Sequence, residues 1–104
     1  MSVSFAVDWP DGQIEIIPLS AQGSMEKSVC PLARELGLEL SPNFYTFYPV
    51  EPNNIQQVLR ELRVLRVAAA EKWPEWTSFY QSLDRIIEVI ERLKGMEGWR
   101  ASFG

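Results

Sequence analysis

Two stretches in the second half of the chain space their apolar residues three and four apart, and no other feature constrains the fold as tightly. Ile55, Val58, Leu59, Leu62, Leu65 and Ala69 form one stripe, with Arg60, Glu61, Arg63 and Arg66 on the wetter side. Trp76, Phe79, Tyr80, Leu83, Ile86, Ile87, Ile90 and Leu93 form the second, which runs up to Gly95. Each pattern predicts an amphipathic helix that must bury its stripe against another element. Asn53 or Asn54 supplies the cap of the first helix. Trp73-Pro74 ends it, and Pro74 suits the opening position of the next, where a missing N–H costs nothing. A corner this tight predicts an antiparallel helix hairpin.

The first half alternates differently. Val3, Phe5, Val7 and Trp9 interleave with Ser4, Ala6 and Asp8, the period of a strand with one buried face. Pro10-Asp11-Gly12 reads as a turn, and Gln13 to Leu19, with Ile14, Ile16 and Ile17, reads as the returning strand. Ser24 then offers an N-cap with Glu26 in the first turn, and Gly37 a left-handed stop. Pro31 interrupts that segment: either the helix kinks, or a short turn precedes a helix opening at Pro31, and both alternatives turn Leu32 and Leu36 to the core. After the break at Ser41-Pro42-Asn43, the aromatic run Phe44 to Tyr48 predicts a third strand, closed by Pro49 and Pro52. The tail from Gly98 to Gly104 carries Trp99 and Phe103 and is expected to dock on the body or add a short edge strand. The expected architecture is α+β: a small, mostly antiparallel sheet of three to four strands, packed against the C-terminal helix hairpin and one shorter helix.

With 104 residues, 46% of them apolar and 12% aromatic, the chain supplies one core, so residues 1–104 are read as a single domain and disorder is disfavoured. The net charge is −4, and it is unevenly spread. Residues 1–53 carry seven acids against two bases, a net −5, whereas residues 54–104 carry seven acids against eight bases, a net +1. An acidic half without a basic footprint argues against nucleic acid and fits a basic protein partner. No basic leader and no long apolar run precedes Asp8, so neither a secretory signal nor a membrane span is expected, and the reading is cytoplasmic. A single cysteine, Cys30, agrees with a reducing compartment.

Chemistry finds little to work with. There is no histidine, so the commonest general base, metal ligand and nucleophile partner are missing. Cys30 therefore reads as a packed thiol. Asp8 with Asp11, and Glu88 with Glu91, read as solvated charge, and Glu88 with Arg92 as a surface pair. No phosphate loop, metal-ligand spacing or nucleophile elbow occurs, so neither an enzyme nor a cofactor or metal is expected. The aromatic residues at element ends sit among acids. Trp9, Asp11, Glu15, Glu39, Tyr45, Tyr48 and Glu51 together form the expected partner-binding set.

The hairpin start, the Tyr45 to Pro52 segment, the Leu59 to Leu65 helix, the Trp73-Pro74-Glu75-Trp76 corner and the Trp99 to Gly104 ending give a profile that resembles small acidic bacterial immunity proteins, encoded beside polymorphic or contact-dependent toxins. That resemblance implies a cytoplasmic protein that neutralises a cognate toxin by tight association, often with acidic residues facing a basic, nuclease-like surface. A homodimeric structural or adaptor subunit is the competing expectation, its helix stripes shared between chains; a small-molecule-binding module is the third. On the inhibitor reading, replacing Asp11, Glu15, Glu39 and Glu51 by serine weakens association and spares folding. Ile87→Asp, which sets an unpaired charge on the second stripe, is expected to unfold the domain, with the melting temperature as the measurement.

Overall fold

The computed structural model describes residues 2–104, the side chain of Gln22 apart. Strand β1 (Ser2–Asp8) pairs antiparallel with β2 (Ile14–Ala21). The connection is a tight turn: the Gly12 N–H donates to Trp9 O at 3.0 Å, the Trp9 N–H to Gln13 O at 2.8 Å, and the Gln13 N–H to Asp11 Oδ1 at 3.0 Å. Gly12 closes it with a φ of +93°, open to a residue without a Cβ. Near the other end of the pair, Leu19 and Ser20 stand opposite Val3, a bulge immediately after Pro18.

The next segment is helical throughout, in three parts: α1 (Gln22–Ser24), a π-helical stretch (Met25–Val29) and α2 (Cys30–Glu35). Ser24 is already helical, so the helix begins two residues before the expected cap. The proline problem is resolved by widening. The Cys30 N–H reaches back to Met25 O, five residues away, directly before Pro31, which has no N–H to donate and whose ring would crowd a regular turn. Gly37, at a φ of +75°, ends α2 in a Schellman arrangement, with the Gly37 N–H on Arg34 O and the Leu38 N–H on Ala33 O. Leu32 is buried as expected, but Leu36 is not: the helix ends there and its side chain stands 38% exposed.

The aromatic run departs furthest from expectation. Ser41–Asn43 is a 3-10 helix, Phe44 to Thr46 continue its turns, and only Tyr48–Val50 is a strand, β3. The cause lies in α3 (Ile55–Lys72). Glu61, placed by helical spacing among the wet residues, is 2% exposed and points at this turn. Its carboxylate accepts the Leu40 N–H on both oxygens (3.1 and 3.2 Å), and its Oε1 also takes the Ser41 N–H (2.9 Å) and the Ser41 hydroxyl (2.8 Å). Gln57 Nε2 donates to Oε2 at 3.1 Å. These charge-assisted bonds hold the chain in a turn where β propensity alone would extend it. Asn54 joins the end of β3 to the start of α3: its Oδ1 accepts the Glu51 N–H (2.8 Å) and its Nδ2 donates to Pro49 O (3.1 Å).

Helix α4 (Thr77–Leu93) folds back antiparallel on α3. It opens at Thr77, three residues later than Pro74, which lies in the turn between the helices. The hairpin is laced on its outer side by Arg63 with Glu91 and by Arg66 with Asp84 (2.8 Å), and internally by the Tyr80 hydroxyl, which donates to Ala69 O at 3.1 Å beneath the Arg66 guanidinium. Strand β4 (Arg100–Phe103) completes the sheet, and not at its edge. The order is β2-β1-β4-β3 with every pair antiparallel, so the tail lies between β1 and β3. Phe103 carries it there, stacking on Phe44 at 4.0 Å and lying 4.9 Å from Phe5.

All the helices lie on one face of this sheet. Val3, Phe5, Val7, Ile17, Leu19, Val50, Ala101 and Phe103 are buried against Met25, Val29, Leu59, Leu62, Leu83, Ile86 and Ile90 in one core. Ile87 sits at the rim, half-buried, while Ile86, Val89 and Ile90 are fully enclosed. Ile86→Asp is therefore the substitution that unfolds the domain, at a cost of about 4 kcal/mol or more. Ile87→Asp, whose charge can reach water, loses less than half of that, and urea denaturation of the two variants side by side checks the order. Glu61→Ala leaves the Leu40 and Ser41 donors buried and unpaired and is expected to cost about 2–4 kcal/mol; Glu61→Gln, which keeps an acceptor, recovers part of it.

Candidate functional site

The seven residues expected to meet a partner do not share one surface. Trp9, Asp11 and Glu15 lie at the turn end of the β1–β2 hairpin, whereas Glu39, Tyr45, Tyr48 and Glu51 lie around β3, the opposite edge of the sheet. Several also have partners within the chain. Glu15 Oε1 accepts Trp9 Nε1–H at 3.3 Å, and its Oε2 accepts Arg85 Nε–H and Nη2–H at 3.1 and 2.8 Å. Arg92 covers the Trp9 ring at 4.8 Å, and Arg85 also reaches Glu88 at 3.3 Å. Glu88 is thus paired to Arg85, and Arg92 is turned to Trp9. This cluster clamps the hairpin to α4 and leaves Glu15 neutralised. Asp11 uses one carboxylate oxygen to shape its turn, and Tyr48 packs inward on Phe44 at 5.4 Å. Glu39 and Glu51 remain exposed.

What the sheet does present is its other face, which none of the described helices covers. Register places its residues in three rows across β2, β1, β4 and β3. Ile14, Asp8 and Arg100 form the first, with Glu51 beyond; Ile16, Ala6, Ser102 and Pro49 form the second. Pro18 and Ser4 begin the third, the Ser4 and Gly104 backbones exchange hydrogen bonds at 2.9 and 3.0 Å, and Phe47 lies against Gly104. In the second and third rows the two central strands therefore carry only small residues (Ala6, Ser102, Ser4, Gly104), with Ile16 and Pro18 on one side of them and Pro49 and Phe47 on the other, while Asp8 and Arg100 close the first row. A depression of about 460 Å³ opens over Ala6, Ser102, Pro49 and Phe47, with Asp8, Arg100 and Glu51 at one end. Ile14, Ile16 and Phe47 stand 70%, 63% and 74% exposed. The three sum to on the order of 400 Å² of apolar surface, divided between Ile14 and Ile16 on β2 and Phe47 beside β3 on the far side of the face, and large apolar side chains exposed on one uncovered face make it a candidate interaction surface.

This face was partly readable in the sequence. Ile14 and Ile16 share a parity opposite to the core residues Ile17 and Leu19, the signal of a strand apolar on both sides. Phe47 gave no such signal, because its placement depends on the turn that Glu61 holds.

Two other features of the surface are built differently. A groove of about 640 Å³ runs beside the α3–α4 corner, lined by Ser24, Ser28, Lys72, Trp73, Glu75 and Trp76; Trp76 stacks on Phe79 at 4.3 Å and meets Trp73 edge-on at 5.5 Å. On the outer side of α3, Val64 and Val67 join Leu36 and Ala68 in an apolar strip, with Val67 61% exposed. Cys30 is buried, and burial pushes its thiol pKa up, Arg34 drawing it partly back and Glu26 adding to the rise; a protonated, enclosed thiol is a poor nucleophile. Among the described residues no group of three or more potential ligands is gathered for a metal ion, and no helix is long and apolar enough to cross a membrane. Compared with protein-family models, curated proteins and solved structures, the chain gives no significant match.

The Glu15 clamp changes what removal of the acids should do. Glu15→Ser leaves Arg85 with Glu88 alone and the Trp9 indole N–H without its acceptor at a half-exposed site, and a loss of about 1 kcal/mol in stability is expected. Asp11, Glu39 and Glu51 can each be replaced by serine with smaller effects, and thermal denaturation of the four single variants separates these cases.

Proposed function

We propose that this chain works by binding another protein, as an inhibitor of the immunity type that neutralises a cognate bacterial toxin by tight association. The observation that supports the binding reading is the uncovered sheet face with Ile14, Ile16 and Phe47 exposed on it. Leaving such a surface in water brings no benefit to the monomer's own core, so its presence favours a partner that covers it. Asp8 and Glu51 at its rim, with the acidic first half of the chain behind them, suit a basic partner and raise the rate of encounter. The toxin as partner rests on the likeness of profile to immunity proteins.

A second reading, a homodimeric structural or adaptor subunit, is favoured by a separate observation: the strip of Leu36, Val64, Val67 and Ala68 along α3. It makes the helix hairpin the interface and leaves the sheet face unexplained.

Capture from a lysate of the source organism, with mass spectrometry and light scattering on the eluate, distinguishes the two. The expected result is a one-to-one complex with a basic toxin domain, lost in an Ile16→Glu, Phe47→Glu double variant whose melting temperature is unchanged. A dimer without any partner, abolished by Val67→Glu, would instead establish the subunit reading. A toxin complex that survives the double variant would remove the sheet face from the interface.

A further inference from the structure

Resting on that reading, we infer that what lies on the open sheet face is a single basic amphipathic α-helix of the partner, running along β1 and β4. Three geometries for a protein partner meet this face, and two of them fit poorly. Addition of a strand at an edge is opposed on both sides: β2 carries Pro18 followed by a bulge, and β3 carries Pro49 in a strand of three residues, so each edge lacks a donor that a ladder needs. A second sheet, including that of another copy, would rest on the outer strands. Its weight would fall on Ile16 and Phe47, leaving the floor of Ser4, Ala6, Ser102 and Gly104 unfilled beneath it, and voids of that kind forfeit the packing that makes such a contact stable.

A helix fits the relief. The outer strands are three strand spacings apart, about 14 Å, and a helix with its side chains is about 10–12 Å across. The small floor lets its backbone come close between Ile16 on one side and Phe47 on the other, and the 460 Å³ depression, which lies toward β3 over Ala6, Ser102, Pro49 and Phe47, receives the part of its apolar stripe that faces Phe47. The charges orient it. At the hairpin-turn end of the face Asp8 lies across from Arg100 and Glu51 stands exposed beyond it, so acids outnumber the base there. Lysine or arginine side chains of the helix belong at that end, together with its N-terminus, whose partial positive charge the carboxylates complement.

The test titrates the ¹⁵N-labelled full chain with three synthetic 18-residue peptides: a leucine–lysine peptide of helical period, a leucine–glutamate peptide of the same pattern, and a leucine–lysine peptide of strict alternation. The first should bind one-to-one with a Kd below about 100 µM and shift the amides of Ser4, Ala6, Ser102 and Gly104. The other two should bind at least tenfold more weakly. Ser102→Leu is the decisive variant: it adds apolar area but fills the floor, so it should weaken the helical peptide tenfold or more, whereas a merely sticky patch would bind more tightly. Equal binding by the alternating peptide, stronger binding to Ser102→Leu, shifts confined to α3, or no shift at all would overturn the helix. Concentration-dependent shifts of the same amides without peptide would also do so, and would identify a second copy as the occupant. If the peptides fail while Ile16→Glu, Phe47→Glu still abolishes capture of the native partner, only the helix is wrong; if that variant keeps its partner, the binding reading itself falls.

Discussion

Glu61 is an acid on the buried side of an otherwise amphipathic helix, and the architecture around β3 and β4 follows from what it holds. A carboxylate taken out of water is stable only when its lone pairs are occupied, and here the Leu40 and Ser41 amides, the Ser41 hydroxyl and the Gln57 amide occupy them. The same bonds answer a need on the other side, since the amides that open the 3-10 turn have no partner within it. Once the turn is held, Phe44 points inward and offers its ring to Phe103. Phe103 in turn draws the last residues of the chain between β1 and β3, and closes a four-stranded sheet from segments nearly a hundred residues apart.

The open face is the consequence. A sheet of this order has two faces and only one set of helices, all of them drawn to the side where Phe5, Phe44 and Phe103 meet. The other side keeps Ile14 and Ile16 along β2, Phe47 beside β3 and the small Ala6, Ser102, Ser4 and Gly104 between them, a relief that burial inside the monomer does not require. The edges are protected separately, by Pro18 with its bulge and by Pro49, which oppose aggregation through strand pairing. The molecule thus blocks one route of association and leaves another available. This combination carries the functional reading, together with a rim at which Asp8 and Glu51 outweigh Arg100.

The expected acidic and aromatic set dispersed for a definite reason. Trp9 and Glu15 lie close together, an aromatic beside an acid, but Arg85 of α4 pairs with Glu15 and Arg92 covers the Trp9 ring. Those arginines lie seventy or more positions along the chain, so no reading of the hairpin alone could have included them. Tyr48 lies in a strand, as its aromatic run predicts, yet the strand begins at that residue instead of ending there, because the residues before it are held in the Glu61 turn. Of the residues on the open face, Ile14 and Ile16 were visible as a second apolar parity on β2.

The sequence by itself determined the elements whose signals are local. The period of the two apolar stripes specifies α3 and α4, Pro10-Asp11-Gly12 specifies the first hairpin, Gly37 specifies the end of α2, and the alternation of Val3, Phe5 and Val7 specifies the buried parity of β1. In each case the deciding interactions run between residues a few positions apart, so the pattern and its cause occupy the same stretch of chain. Only the tertiary structure decided that Glu61 is buried, that β4 is an inner strand, that Glu15 is paired, and which face of the sheet is left to water. Those outcomes depend on partners tens of residues away, and a side chain's type and spacing carry no record of what the folded chain will bring against it.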